Sequence, residues 1–387
     1  MENTVFERSI EKHFKASLKK GKIILLFGAR QVGKTTFVKN ILEKQEASHK
    51  ETLYLNCELD STRALFEKKE IFRFESVFSG KDIVVLDEAQ KIPDIGIILK
   101  IIHDELPHIR IIATGSSAFD LADKTAEAMT GRNIDFFLFP LSFAEIVQFE
   151  SRGVLDAEAK LEDILRFGSY PEIHLMKGDD ERREHLERLS SDYLYRDVLS
   201  FESLRKAPVI ADLLRLLALG IGQEVSLQSL ASRLGLNRIT VAKYIDILEK
   251  SFVVKTLRPL SRNSYRSLSK KIKVYFWDLG IRNSLIHNHN NLNVRDDVGA
   301  LWENFIIMER MKKNLYERNF VNAYFWRSYS GQEVDYIEEV DGTFQSFECK
   351  WNPTKKVSVP SEFSQKYSKK VSIVHRENFG EFLVGKK

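Results

Sequence analysis

Residues 28–35 read Gly-Ala-Arg-Gln-Val-Gly-Lys-Thr, and the apolar run Ile23–Phe27 leads straight into them. The spacing G-x-x-x-x-G-K-[ST] between a strand and a helix is a phosphate-binding turn. Glycines let backbone N–H groups close on phosphate oxygens, and the N-terminus of the following helix adds partial positive charge. Such a turn needs a strand ending at one edge of a sheet and a helix leaving it, which restricts this part of the chain to an α/β layer structure. Three further apolar runs, Thr52–Leu55, Ile83–Leu86 and Arg110–Ala113, read as buried strands. Thr35–Lys44 and Ile95–Asp104 read as helices between them. Fully apolar strands alternating with helices indicate a parallel sheet covered on both faces.

The turn assigns roles to its residues. Gly28, Arg30, Gln31, Val32, Gly33, Lys34, Thr35 and Thr36 form the cradle. Lys34 neutralises the outer phosphates, and the Thr35 hydroxyl ligates Mg²⁺. The run Ile83–Leu86 ends in Asp87-Glu88, 53 residues beyond Lys34. Asp87 is expected to hold Mg²⁺ through water, and Glu88 to orient or deprotonate the attacking water. Thr114, after the next strand, is a candidate sensor of the terminal phosphate, the plainer alternative being a Ser/Gly turn. Arg132 is a candidate phosphate ligand within the chain or in a neighbouring copy, or else a surface arginine.

At 387 residues the chain has room for two or three domains of about 150 residues each. Two distant cysteines, Cys57 and Cys349, exclude a disulfide framework and a Cys-rich zinc site, and suit a reducing compartment. The N-terminal segment is charged throughout, and no apolar run approaches the length of a membrane span. A soluble, cytoplasmic protein is expected. Charge is uneven: residues 51–200 carry 18 Lys and Arg against 30 Asp and Glu, while residues 201–300 carry 16 against 8. Different parts therefore face different partners.

Residues 143–219 read as a helical lid following a nucleotide core over residues 1–142. Residues 220–275 read as a winged-helix domain: a helix over 226–234, a turn at Gly235-Leu236-Asn237, a helix over 238–252 and a strand at 253–257. The basic residues Lys255, Arg258, Arg262, Arg266, Lys270, Lys271 and Lys273 lie where a wing would meet DNA phosphates. A protein-binding or spacer module is the alternative. The polar, Asn-rich stretch ending at Asp297 suggests a linker over 276–297.

Residues 298–387 begin with a long helix, Val298–Glu317, followed by a strand-rich tail. Asp341-Gly342 is a two-residue hairpin signal. If it closes the hairpin, paired residue numbers sum to 683, which sets Asp335 opposite Glu348 and Glu333 opposite Lys350 on one face. Two carboxylates with a lysine two residues past the second form the D…E-x-K signature of restriction-endonuclease-like folds. Asp335 and Glu348, with Glu303 from the long helix, would bind Mg²⁺ or Mn²⁺, and Lys350 would position or activate water. Asp335, Glu348 and Lys350 are thus candidate catalytic residues beside Glu88. A salt-bridged hairpin face would produce the same letters.

The stretches GARQVGKTT, VVLDEAQKIPD, ATGSSAFDL, TGRNIDFFLFPLSFAEI, GSYPEI, YLYRDV and GQEVDYIEEVDGTFQSFECK resemble a prokaryotic family of AAA/STAND-like P-loop ATPases. Its C-terminal half belongs to a domain family of unknown function containing a restriction-endonuclease-like fold. The resemblance spans residues 22 to about 350 and implies ATP as the nucleotide, with Thr114 and Arg132 as sensor-like positions. The expected architecture is a P-loop parallel sheet with a helical lid, then a winged helix, then an α/β nuclease-like domain. The expected function is an ATP- and Mg²⁺-dependent switch acting on DNA. The competing expectation is a nucleotide-gated protein-interaction module with a non-catalytic C-terminal scaffold, its partner another protein or a second copy of the chain.

Overall fold

The four apolar runs of the N-terminal third and one further segment form five strands: β1 (Ile23–Phe27), β2 (Thr52–Asn56), β3 (Ile83–Asp87), β4 (Arg110–Gly115) and β5 (Asn133–Phe137). All pair in parallel, in the order β2-β3-β4-β1-β5. In the computed structural model, residues 6–116, 129–149, 154–199, 207–261, 271–355 and 358–384 are described. They divide into two units: residues 1–140 with 250–252, and residues 141–249 with 253–387.

In the first unit β1 and β3 are buried along their whole length, as their unbroken Ile, Val and Leu runs require. The edge strand β5 escaped the sequence reading. Its Asn-Ile-Asp-Phe-Phe buries only one residue fully, so no apolar run marks it. The helix Lys34–Glu46 buries Phe37, Val38, Ile41 and Leu42, the i, i+1, i+4, i+5 stripe of a helix lying on a sheet. Phe14, on the helix Glu11–Leu18, meets Phe37 edge-on at 5.0 Å and Phe136 at the same distance. Because every strand points the same way, Phe27, Asp87 and Gly115 end at one edge of the sheet. Open α/β sheets bind ligands along that edge.

The second unit begins with the helices Phe143–Phe149, Val154–Phe167, Pro171–Leu175, Asp179–Leu199 and Ala207–Leu219. The expected lid over 143–219 therefore lies within this unit. Next come β6 (Glu224–Val225), the helices Leu227–Leu234 and Arg238–Lys250, β7 (Val254–Pro259) and β8 (Ile272–Phe276). Ser226 caps the first of these helices, accepting the Ser229 N–H. After the long helix Val298–Tyr316 follow β9 (Asn322–Arg327), β10 (Glu333–Val340), β11 (Thr343–Cys349) and β12 (Ser372–Val374).

Two expectations change here. The segment 276–297 is not a linker throughout. It opens with the helix Leu279–Leu285, in which residues 279–284 are buried. Asp278 caps this helix through the Ile281 N–H and takes the Ser169 N–H at 2.6 Å. Asn283 donates to the carbonyls of Leu165 and Arg166, and Arg282 to that of Ala218. The polar residues that suggested a solvated linker instead satisfy buried backbone oxygens of neighbouring helices. Secondly, residues 220–275 and the tail share one seven-stranded sheet, ordered β12-β11-β10-β9-β7-β8-β6. Parallel pairing of β7 with β9 joins them, Arg258 facing Tyr324 and Pro259 facing Phe325. Pro259 has no N–H to give, and the next amide, Leu260, donates to Phe325 O at 2.7 Å.

The hairpin has the expected register: β10 and β11 pair from Tyr336–Phe347 to Val340–Thr343, each pair summing to 683. Asp341 and Gly342 both adopt positive φ, as the tight turn demands. Strict alternation fails beside it. The β9–β10 register shifts between Val334 and Ile337, and both residues pack with Trp326 and Phe363. A bulge of this kind re-aims the side chains it carries, here Asp335 and Tyr336.

Candidate functional site

The turn between β1 and the helix Lys34–Glu46 approaches the backbone of residue 138 so closely that position 28 admits only glycine. A Cβ there would stand 2.1 Å from Leu138 O. The Leu138 N–H donates to Phe27 O at 2.7 Å, which holds residue 138 beside the turn. Val32 is fully buried, Arg30 half-buried, and Gln31 and Thr36 face solvent. The Lys34 ammonium lies inside the curl of the turn, donating to Gly28 O (2.8 Å) and Ala29 O (2.9 Å), with Glu88 Oε1 4.0 Å away.

Asp87 accepts three hydroxyls. Thr35 Oγ1 donates to Oδ2 at 2.7 Å, Tyr54 OH to Oδ2 at 2.5 Å and Thr114 Oγ1 to Oδ1 at 2.5 Å. Thr114 also accepts the Glu88 N–H at 3.0 Å. Hydroxyl and carboxylate oxygens meeting at the mouth of a phosphate turn are hard donors that suit Mg²⁺. Glu88 sits at φ 56, a left-handed conformation that costs a non-glycine residue about 1 kcal/mol and is common at functional positions. Gln90 Nε2 holds its carboxylate, donating to Oε2 at 2.6 Å and to Ser116 Oγ at 3.2 Å.

Lys34, Thr35, Asp87, Glu88 and Thr114 thus converge on one point. Arg132 does not. It precedes β5 at the end where its carbonyl accepts the Ile23 N–H, and its guanidinium pairs with Asp104 at 3.0 Å. The length of β1 separates it from the turn. Sequence reasoning missed Tyr54, Gln90 and Arg8. Arg8 is buried and braces the turn, donating to Val32 O at 2.8 Å and Phe139 O at 2.6 Å. A usable signal existed for Gln90, which follows Glu88 by two residues. None existed for Tyr54 or Arg8, whose partners are remote in sequence.

In the second unit Glu303, Glu333, Asp335, Glu348 and Lys350 line one cavity of about 480 Å³ with Gly222, Gln223, Glu224, Lys271, Lys273 and Arg327. Ligand oxygens of Glu303, Glu333 and Asp335 lie within 4.8 Å of one another. Asp335 Oδ2 takes the Cys349 N–H at 2.8 Å and lies 3.6 Å from Lys350 Nζ. Lys350 Nζ donates to Glu348 Oε1 at 2.6 Å. Burial, then the charge of Asp335, pushes Glu303 and Glu348 each up to about 7. Burial opposes the Lys350 charge, but Asp335 and Glu348 outweigh it and raise its pKa.

Lys273 was expected on the outer surface of a basic wing. It is 1% exposed, and its ammonium pairs with Glu303 (2.9 Å) and Glu333. Tyr275 adds a hydrogen bond to Glu303 Oε1 at 2.6 Å. Strand alternation explains both: positions 273 and 275 of β8 point inward together. Of the remaining basic residues, Lys255 pairs with Glu249 and Lys271 lies 3.8 Å from Glu224, while Arg258 is exposed. Arg262, Arg266 and Lys270 lie outside the described residues. Cys57 and Cys349 are free and buried. Among the described residues no helix is long and apolar enough to cross a membrane.

Residues 20–147 match the model of an AAA domain. Residues 158–292 and 298–382 match two domains of unknown function, DUF8612 and DUF4143. An uncharacterised protein of Mycobacterium tuberculosis is 25% identical over 355 residues, 91% of this chain and 75% of its own length. An uncharacterised protein of Methanocaldococcus jannaschii is 24% identical over 344 residues, 85% of this chain and 74% of its own. The solved structure of AMPPCP-bound DnaA from Aquifex aeolicus is similar over 64% of this chain and 90% of its own, at 16% identity and a TM-score of 0.34. The first unit is an AAA-type P-loop domain.

Proposed function

We propose that the chain binds and hydrolyses ATP with Mg²⁺ in its first unit, and that the nucleotide state controls a DNA-directed second unit. The Thr35–Asp87 contact beside Lys34 and Glu88 carries the ATPase reading. Lys34 exchanges the carbonyls of Gly28 and Ala29 for phosphate oxygens. Thr35 and Asp87 would hold the metal, which would supply charge neutralisation on the phosphates. Glu88, held by Gln90, orients the attacking water, and Thr114 ties Glu88 to Asp87 so that one moves with the other.

For the second unit, the succession β6, two helices, β7, β8, with β8 antiparallel to both strands, supports the winged-helix reading of residues 220–275. The helix starting at Arg238 would enter the major groove. The cavity lined by Asp335, Glu348 and Lys350 supports a metal-dependent, nuclease-like site completed by Glu303. Its carboxylates are all hard oxygen donors suited to Mg²⁺ or Mn²⁺. There Asp335 and Glu348 would hold the metal, and Lys350 would position the water that attacks a phosphodiester.

One observation favours the rival reading of a binding scaffold: Lys273 and Lys350 already neutralise the carboxylates, as in a salt-bridged structural face. Nicking of supercoiled plasmid separates the two. With Mg²⁺ or Mn²⁺ and with or without ATP, the wild type should nick and an Asp335→Ala/Lys350→Ala double variant should not. Intact plasmid in every condition, with ATP turnover retained, leaves the scaffold reading.

A further inference from the structure

Three features of the C-terminal cavity belong together. Glu303, Glu333 and Asp335 place their oxygens close enough for one cation. Glu348, 7% exposed, lines the same cavity, and its Oε2 has no hydrogen-bond partner among the described residues. Lys273 sends its ammonium into this cluster from β8, between Glu303 and Glu333. The backbone of Lys273 is paired on both sides, with Glu224 of β6 and Leu257 of β7, so only its side chain is free to withdraw.

We propose that Lys273 is a tethered cation occupying the metal position of this cavity, and that a divalent ion binds there only when its ammonium swings out. The proposal rests on reading the cavity as a metal site. An ion bound at about 2.1 Å to Glu303 and Glu333 would lie against an ammonium that is 2.9 Å from Glu303 Oε1. Two like charges that close in a buried site exclude each other. Lys273 thus keeps the carboxylates folded and neutralised without metal, and it weakens metal affinity in the resting protein. Glu348 Oε2 is the additional ligand that a metal gains and the ammonium does not use.

Mn²⁺ binding to the full chain without nucleotide, followed by electron paramagnetic resonance, tests this. Ions bound at this cavity are those lost in an Asp335→Asn variant. Lys273→Met should bind Mn²⁺ there at least about tenfold more tightly than the wild type. Because removing the ammonium leaves buried carboxylates unpaired, the charge-balanced variant Lys273→Met/Glu333→Gln is measured alongside. It should bind through Glu303, Asp335 and Glu348, again more tightly than wild type. Equal affinity in wild type and both Lys273 variants, with binding abolished by Asp335→Asn, would overturn the role of Lys273 and leave the metal site standing. No Asp335-dependent ion in any variant would remove the metal site itself, and the proposal with it.

Discussion

Replacing Gly28 with alanine tests the phosphate turn through its geometry. The added Cβ would begin 2.1 Å from Leu138 O, a backbone atom of the residue whose N–H donates to Phe27 O. Restoring an ordinary contact of about 3.4 Å requires the turn or residue 138 to move by about 1.3 Å. Overpacking of this kind costs about 1–3 kcal/mol of stability. The larger effect falls on the ligand, because a shift of about 1 Å in groups that position a substrate costs on the order of a hundredfold. Titration with a fluorescent ATP analogue should therefore show Kd raised at least tenfold, about 1.4 kcal/mol, in protein that still unfolds cooperatively. Wild-type affinity in a folded Gly28→Ala variant would refute the claim that this close approach shapes the cradle.

Tyr54→Phe removes one of the three hydroxyls on Asp87. It should cost about 1.5–3 kcal/mol in urea unfolding of the nucleotide-free chain, the usual worth of a hydrogen bond to a charged group; an unchanged midpoint would show that the Asp87 cluster contributes nothing to the resting state. Glu348, whose carboxyl titrates near 7 rather than 4.5, gives a pH signature. The folded state keeps that proton longer, so the group's contribution is complete below about pH 4.5 and is lost as pH rises through about 7, on the order of 1–3 kcal/mol. Glu348→Gln should flatten that part of the pH–stability curve, and a slope identical to wild type would remove Glu348 as its source.

The first site was more legible in the sequence than the second, for a physical reason. Phosphate binding uses a contiguous turn and strand ends, so Lys34, Thr35, Asp87 and Glu88 announce themselves by spacing. Tyr54 and Arg8 act by reaching partners remote in sequence: the run Thr52–Leu55 marks a strand but not the aim of its Tyr54 hydroxyl, and nothing around Arg8 marks its bonds to the turn. In the C-terminal cavity the hairpin register was readable because Asp341-Gly342 fixes it. The bulge at Asp335 and Tyr336 depends on pairing with β9, which local sequence does not specify. Lys273 was read with its basic neighbours, because a lysine buried against carboxylates carries the same letter as one on a DNA-facing wing. The helix Leu279–Leu285 was hidden likewise: its Arg282 and Asn283 spend their polar groups on buried carbonyls rather than water.

ATP hydrolysis in the first unit is assigned to Glu88, acting on a Mg²⁺ site that Thr35 and Asp87 would hold. Steady-state ATP turnover with Mg²⁺, measured beside ATP binding, tests it in wild type and Glu88→Gln. Turnover is expected in wild type, and in Glu88→Gln retained ATP binding with kcat lowered by about 10²–10⁴-fold, the usual worth of a positioned general base. Equal kcat in the two proteins would contradict it.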